Sequence, residues 1–389
     1  MDAATLCANL VQIQSENPPG HTEEVIRYLS SHMEGLGVEN EIVRNADGRW
    51  NLVAGPRHPA LLLCGHVDVV PASADRWSRD PFSGDIDGGY VWGRGSTDMK
   101  GGCAALLTAF EQCLDDGVEP DVGFAFVCDE ETGGEMGIRN LLRRRLLVPC
   151  DCIIAEPTPR LSPCIGQKGL CRISMTFHGE PGHSSLYPEI GVSAVMEAIT
   201  FITRMEQLHE RVFPVEPRLQ PIIEASGQVL EELFERPGMG DAIQQIMYNP
   251  GMIQGGEKAN IVAQLCTLEM DIRLPWGCSP DTLLEEVRAR APGADITVMD
   301  AFEPTLTPPE ARLVDVVCTE IERQYGEPAV PILQWAASDA RFLRKAGFNV
   351  VDYGPGDLHT LHGVDERVSV EDLQNAVRVY RGVMERYGA

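Results

Sequence analysis

Residues 122–134 read VGFAFVCDEETGG, an apolar run of seven residues closed by three adjacent acids, Asp129, Glu130 and Glu131. A short, unbroken apolar run predicts a strand covered on both faces, as in a parallel sheet. Three like charges at the end of such a strand repel one another and add nothing to the fold. The same pattern recurs along the chain. ALLLCGHVDVV (60–70) delivers His66 and Asp68, DCIIAEP (151–157) delivers Glu156, and FNVVDYGPG (348–356) is followed by HTLHGVDE (359–366) with His362.

Amphipathic stretches lie between these runs. HTEEVIRYLSSHMEGLG (21–37) is stopped by glycines, and DMKGGCAALLTAFEQCL (98–114) starts on small residues that allow close approach to a strand. ARLVDVVCTEIERQY (311–325) and SVEDLQNAVRVYRGVMERY (369–387) read as helices, the latter with Ser369 and Asp372 spaced as a capping box. Strands alternating with helices predict an α/β fold, a mixed but mostly parallel sheet sandwiched by helices. From residue 171 the pattern changes. CRISMTFHGE (171–180) and NIVAQLCTLEMDIRL (260–274) alternate apolar and polar, and the helix over 192–209 sets Val192, Val195, Met196, Ile199 and Ile202 on one face. The expectation is a main domain over 1–170 and 284–389, interrupted by a smaller α+β domain over 171–283.

The chain has 389 residues, room for two domains, and a formal charge of −26. That balance disfavours nucleic acid and anionic membranes as partners. The N-terminal stretch has neither the basic start nor the apolar core of a signal peptide, and no apolar run reaches membrane-spanning length. The 12 cysteines include no CxxC, which suits buried thiols in a reducing cytoplasm.

A lone acid after a strand is ordinarily a turn residue or a helix cap, and a lone histidine is ordinarily structural. His66, Asp68, Asp98 (in GRGSTDMKGG, 93–102), Glu130, Glu131, Glu156 and His362 together are different, because each follows a buried run or starts a helix at the ligand-binding edge of such a sheet. Two histidines with three carboxylates suit a pair of divalent ions, zinc above all. A further carboxylate must stay off the ions to take a proton from water. GRGSTD only half imitates a dinucleotide-binding loop, since Asp98 stands where the third glycine belongs.

With GHVDVVP, GRGSTDMKGG, DEETGG, AEP, GEPGHSS and YGPGDLHTLHGVDE in this order, the chain resembles the M20 family of di-zinc deacylases and peptidases, from NPPG at 17–20 to HGVDE at 362–366. The resemblance implies a zinc-exopeptidase-like catalytic domain with an inserted lid and dimerisation domain. It implies two zinc ions, replaceable by cobalt, held by His66 and Glu156 on one side and Glu131 and His362 on the other, with Asp98 bridging and the peptide after it often cis. Asp68 would accept a ring N–H from His66, Glu130 would be the general base, and His183 would donate to the oxyanion. Asn260, Arg273, Ser338, Asp339, Arg341, Gly354 and Gly356 would line the substrate pocket. The implied reaction removes the acyl group of an N-acyl amino acid, or cleaves a short peptide, in a cytoplasmic homodimer. His359, three residues before His362, is the competing histidine.

Overall fold

The four apolar runs are strands, Leu61–His66, Val122–Val127, Asp151–Ile154 and Asn349–Asp352, in a computed structural model that describes residues 1–388. All four are almost wholly buried and lie side by side in parallel, in the order 122–127, 61–66, 151–154, 349–352. Pairing of Leu61 with both Val122 and Asp151, and of Asn349 with Asp151, sets their starts level. Level parallel strands bring their carboxyl ends to one edge, so the residues that follow each run arrive together. Antiparallel strands extend the sheet, Trp50–Ala54 and Asn40–Arg44 on one side and Cys164–Gln167 on the other.

Helices pack against this sheet. Glu23–Gly35 covers the antiparallel strands, Lys100–Asp115 lies on Leu61–His66, and Arg312–Tyr325 and Ala340–Lys345 lie on Asn349–Asp352. Ala3–Gln12 and Val370–Arg386 pack on Lys100–Asp115. Asp2 caps the first helix by accepting from the Thr5 amide, and Ser369 caps the last by accepting from Glu371 and Asp372. The small residues of DMKGG let Lys100–Asp115 sit close: a Cβ on Gly102 would fall 2.1 Å from the Ala155 carbonyl oxygen, beside Glu156.

The chain divides into two compact units, Met1–Ile165, Leu306–Ile332 and Ser338–Ala389 forming one, and Gly166–Thr305 with Leu333–Ala337 the other. The second unit is therefore larger than the expected 171–283. The reason is strand Asp295–Phe302, which pairs antiparallel with Gly169–His178 and completes a four-stranded sheet with Leu265–Leu274 and Met247–Gly255. Helix Pro280–Arg290 buries Leu283, Leu284 and Val287 in the same core.

Within this unit, Val195 and Ile202 of the apolar row on Ala194–His209 pack against the core. Ala194, Ala198, Phe201, Met205 and Leu208 are buried at helical spacing, whereas Val192, Met196 and Ile199 are 40–43% exposed. Phe201 and Leu208 belong to the buried cluster between this helix and the sheet.

Replacing Gly102 by alanine should destabilise the protein by about 1–3 kcal/mol through forced separation of helix and strand. Urea unfolding measures this, and an unchanged midpoint would contradict the close packing described.

Candidate metal centre

Strand Leu61–His66 ends on His66, whose imidazole is buried. Its Nδ1 lies 2.9 Å from the Asp68 carbonyl oxygen. A carbonyl only accepts, so Nδ1 carries the proton and Nε2 is the nitrogen presented to neighbouring carboxylates. The expected partner was the Asp68 carboxylate, but this stands 3.7 Å from Nδ1. It accepts instead from Asn17 Nδ2 (2.8 Å) and from the amides of Glu130 (3.2 Å) and Glu131 (3.3 Å). Asp68 thus fastens the end of one strand to the paired glutamates after the next.

Those glutamates do not stand on an extended backbone. Asp129 adopts φ +72°, and Glu130–Thr132 is a turn of 3-10 helix. Side chains about 120° apart on such a turn separate Glu130 from Glu131, rather than strand alternation. Asp129 stabilises the turn by accepting from the Thr132 hydroxyl (2.6 Å), the Met136 amide (3.0 Å) and Asn17 Nδ2 (3.3 Å). The sequence left Asn17 without a role, although it stands at the head of NPPG.

Two groups of ligand atoms result, His66, Asp98 and Glu156, and Asp98, Glu131 and His362, each with its atoms within 4.8 Å of one another. His66 Nε2 is 2.9 Å from Asp98 Oδ1 and 3.7 Å from Glu156. His362 Nε2 is 3.0 Å from Asp98 Oδ2 and 3.3 Å from Glu131 Oε2. Asp98 belongs to both groups, one oxygen to each, and Glu130 belongs to neither.

The electrostatics fit a cation in each group. Burial pushes Glu130 well above the usual carboxylate range, and despite His66 the charges of Asp339, Glu131 and Asp98 push it further. Burial, then Asp98, pushes Glu156 well above that range too, and raises Glu131. Burial disfavours the charge on Asp98 too, but hydrogen bonds from His362 and His66 outweigh it and hold its carboxyl low. His362, bonded to Asp98 and then Glu131, is pushed up to about 10. Glu131 Oε1 is buried with no hydrogen-bond partner. Crowded carboxylates of this kind, with both histidines already turned toward Asp98, are the donor set of a divalent metal.

The segment carrying Asp98 is held from beneath. Glu366 is fully buried, and Oε1 accepts the amides of Gly95 (3.0 Å), Thr97 (3.0 Å) and Asp98 (3.1 Å). Its Oε2 accepts from Arg94 Nη1, and burial pushes its pKa up to about 7. Both side chains are under 5% exposed, and removing one partner of a pair so buried costs about 3–5 kcal/mol. Neither residue stands out in GRGSTDMKGG or HGVDE, because most of their partners are backbone groups. The Asp98–Met99 peptide is cis. His359 is exposed and lies in neither ligand group.

The other expected residues divide between the units. In the first unit, Ser338 is buried and donates to Asp352, which is ion-paired with Arg344. Asp339 is buried with Oδ2 unpartnered, and burial raises its pKa to about 7. Arg341 lies over the Phe342 ring at 4.7 Å. Gly354 and Gly356 answer a packing demand, since Cβ atoms there would strike the Ala155 carbonyl (2.3 Å) and Thr97 with Pro157 (2.7 Å). In the second unit, His183 is exposed with Nδ1 2.8 Å from the Ser185 hydroxyl, and the Ser184 amide donates to the Asn260 carbonyl. Arg273 is bound through two nitrogens by Asp271, at 2.7 and 3.2 Å.

Among the described residues no helix is long and apolar enough to cross a membrane. The family model described as peptidase family M20/M25/M40 matches residues 62–386. An acetylornithine deacetylase of Vibrio vulnificus is 30% identical over 374 residues, covering 94% of this chain and 92% of that protein. A succinyl-diaminopimelate desuccinylase of Cereibacter sphaeroides is 30% identical over 411 residues, covering 100% of both. Among solved structures, an M20 family metallo-carboxypeptidase, Sso-CP2, from Sulfolobus solfataricus superposes with a TM-score of 0.81 at 19% identity, covering 100% of this chain and 99% of that one. The dipeptidase Dug1p of Saccharomyces cerevisiae gives 0.77 at 13%, covering 99% and 95%. With most of its length matched by the family model and both curated relatives aligned nearly end to end, the chain belongs to peptidase family M20/M25/M40.

Proposed function

We propose that this protein hydrolyses the amide bond of an N-acyl amino acid, as a metal-dependent deacetylase or desuccinylase. The observation that carries the reading is the pair of ligand groups sharing Asp98, with Glu130 beside them and in neither. Two divalent ions, zinc with cobalt as a substitute, held by His66, Asp98 and Glu156 and by Asp98, Glu131 and His362, would act as Lewis acids on the amide carbonyl and make the attacking water more acidic.

The chain's own residues do the rest. Glu130 accepts a proton from the attacking water on its carboxylate and returns it to the leaving amine nitrogen. Its place beside the two ligand groups but in neither leaves its carboxylate free for that double task. Asp68, by holding the Glu130 and Glu131 amides, keeps the two side chains on their separate duties. His183 serves as a hydrogen-bond donor to the oxyanion, and Asn260 and Arg273 take part in recognising the substrate carboxylate. For Arg273 this requires it to share or exchange its Asp271 partner. Ser338, Asp339, Arg341, Gly354 and Gly356 form a wall of the substrate pocket.

We further propose a homodimer formed through the second unit. Val192, Met196 and Ile199 make an exposed apolar row, and Met247–Gly255 is an edge strand with Met252 65% and Ile253 50% exposed. Exposed apolar side chains on this edge strand and on the helix together favour contact with another chain. The free state of all 12 cysteines suits a reducing cytoplasm. The same chemistry would cleave a dipeptide, so the acyl group is settled by assay.

N-acetylornithine, N-succinyl-diaminopimelate and a set of dipeptides, each offered with zinc and with cobalt, should single out one acylated amino acid. Chelation should abolish turnover, and turnover indifferent to chelators would sink the proposal. Glu130→Gln should lower kcat by about 10²–10⁴-fold with the metal content unchanged; loss of metal would instead make Glu130 a ligand. His183→Ala should lower kcat by about 10²–10³-fold, and an unaltered kcat would remove it from the mechanism. Sedimentation should give a dimer that Met252→Lys with Ile199→Asp converts to a monomer.

A further inference from the structure

The ligand groups are assembled from segments far apart in sequence, and one buried ion pair touches two of them. Glu366 gathers the amides of Gly95, Thr97 and Asp98 on a single carboxylate oxygen, so the backbone that presents Asp98 is fixed to it. Its own carbonyl accepts the Gly93 amide at 2.8 Å. Arg94 uses Nη1 on that carboxylate and turns Nη2 to the backbone carbonyls of His362 (3.3 Å) and Gly363 (3.0 Å). Its guanidinium carbon lies over the Trp77 ring, 5.2 Å from the ring centre. One planar cation therefore spans the loop of Asp98 and the loop of His362.

His362 needs such support more than the other histidine does. His66 ends a buried strand and its side chain is 1% exposed. His362 stands in a loop at φ +56°, where a non-glycine residue is disfavoured, and its side chain is 48% exposed. The Arg94 bonds to the His362 and Gly363 carbonyls hold this backbone to the rest of the centre.

We propose that Arg94 and Glu366 are positioning residues for the metal centre, setting the placement of His362 relative to Asp98 without touching substrate. The inference rests on the reading of this site as a metal centre. The pair acts unequally on the two groups. Asp98 is common to both, but only the group of Asp98, Glu131 and His362 also depends on the carbonyls that Arg94 holds. A lysine at position 94 keeps the charge but has no planar fork to meet a carboxylate and two carbonyls at once. A glutamine at position 366 keeps the shape, but its NH₂ can accept neither from the three amides nor from the guanidinium.

The test measures zinc bound per chain while a chelator buffer sets the free zinc, for the wild type, E366Q and R94K, with thermal melting, kcat and KM alongside. The wild type should bind two ions. In R94K one ion should bind nearly as before and the other about ten-fold or more weakly; in E366Q, which also releases the segment of the shared Asp98, both should weaken, the ion of Asp98, Glu131 and His362 the more. Excess zinc should restore kcat, with KM little changed. R94K, which keeps the buried charge, is decisive if E366Q does not fold. A wild type that binds no divalent ion defeats the metal reading itself. A wild type with two ions, and variants that hold both as tightly, overturns the positioning role and leaves that reading standing. Equal weakening of both ions, in step with a lower melting temperature, also overturns it, because a general loss of stability would then explain the effect.

Discussion

Mutual repulsion among carboxylates is the constraint on which the rest of this molecule turns. Asp98, Glu130, Glu131 and Glu156 converge on one end of a sheet whose strands exclude water, and burial raises three of the four in pKa. Only Asp98 stays low, because two histidines bond to it from opposite sides. Such an arrangement persists when something positive is held among the acids and when the backbone cannot yield to the repulsion. The close packing at Gly102, the amides held by Asp68 and the network around Asp129 all serve the second requirement. Rigidity here follows from the charge that is gathered, and the gathered charge is what gives the site its chemistry.

Much of this could be read from the chain alone. Apolar runs long enough for a strand and too short for a helix, each ending in a histidine or acid, gave both the parallel sheet and the edge where the ligands meet. This legibility has a physical origin. A strand buried on both faces keeps polar residues to its ends, so the first polar side chain after the apolar run marks where it stops.

The features that escaped were those decided by packing or by backbone geometry. Nothing in DEETGG announces that Asp129 enters the left-handed region and turns a strand end into a 3-10 turn. Which apolar residues of Ala194–His209 face inward was not legible, because they occupy more than one side of that helix and periodicity alone cannot choose between them. The far boundary of the second unit was set too early because Asp295–Phe302 is mostly exposed and lacks the clean alternation of its neighbours. Arg94 and Glu366 were hidden for a further reason. Their partners are mainly backbone groups, which carry no residue identity in a sequence.

The sharing of Asp98 limits how such a protein can change. A ligand that lends one oxygen to each group ties the two together, so a substitution there dismantles both. Neither half of the centre can be retuned for a new substrate while the other stays as it was. Selectivity for one substrate over another must therefore be written in side chains that belong to neither ligand group. Proteins that share these motifs can thus differ in what they cleave while keeping the same arrangement for cleaving it.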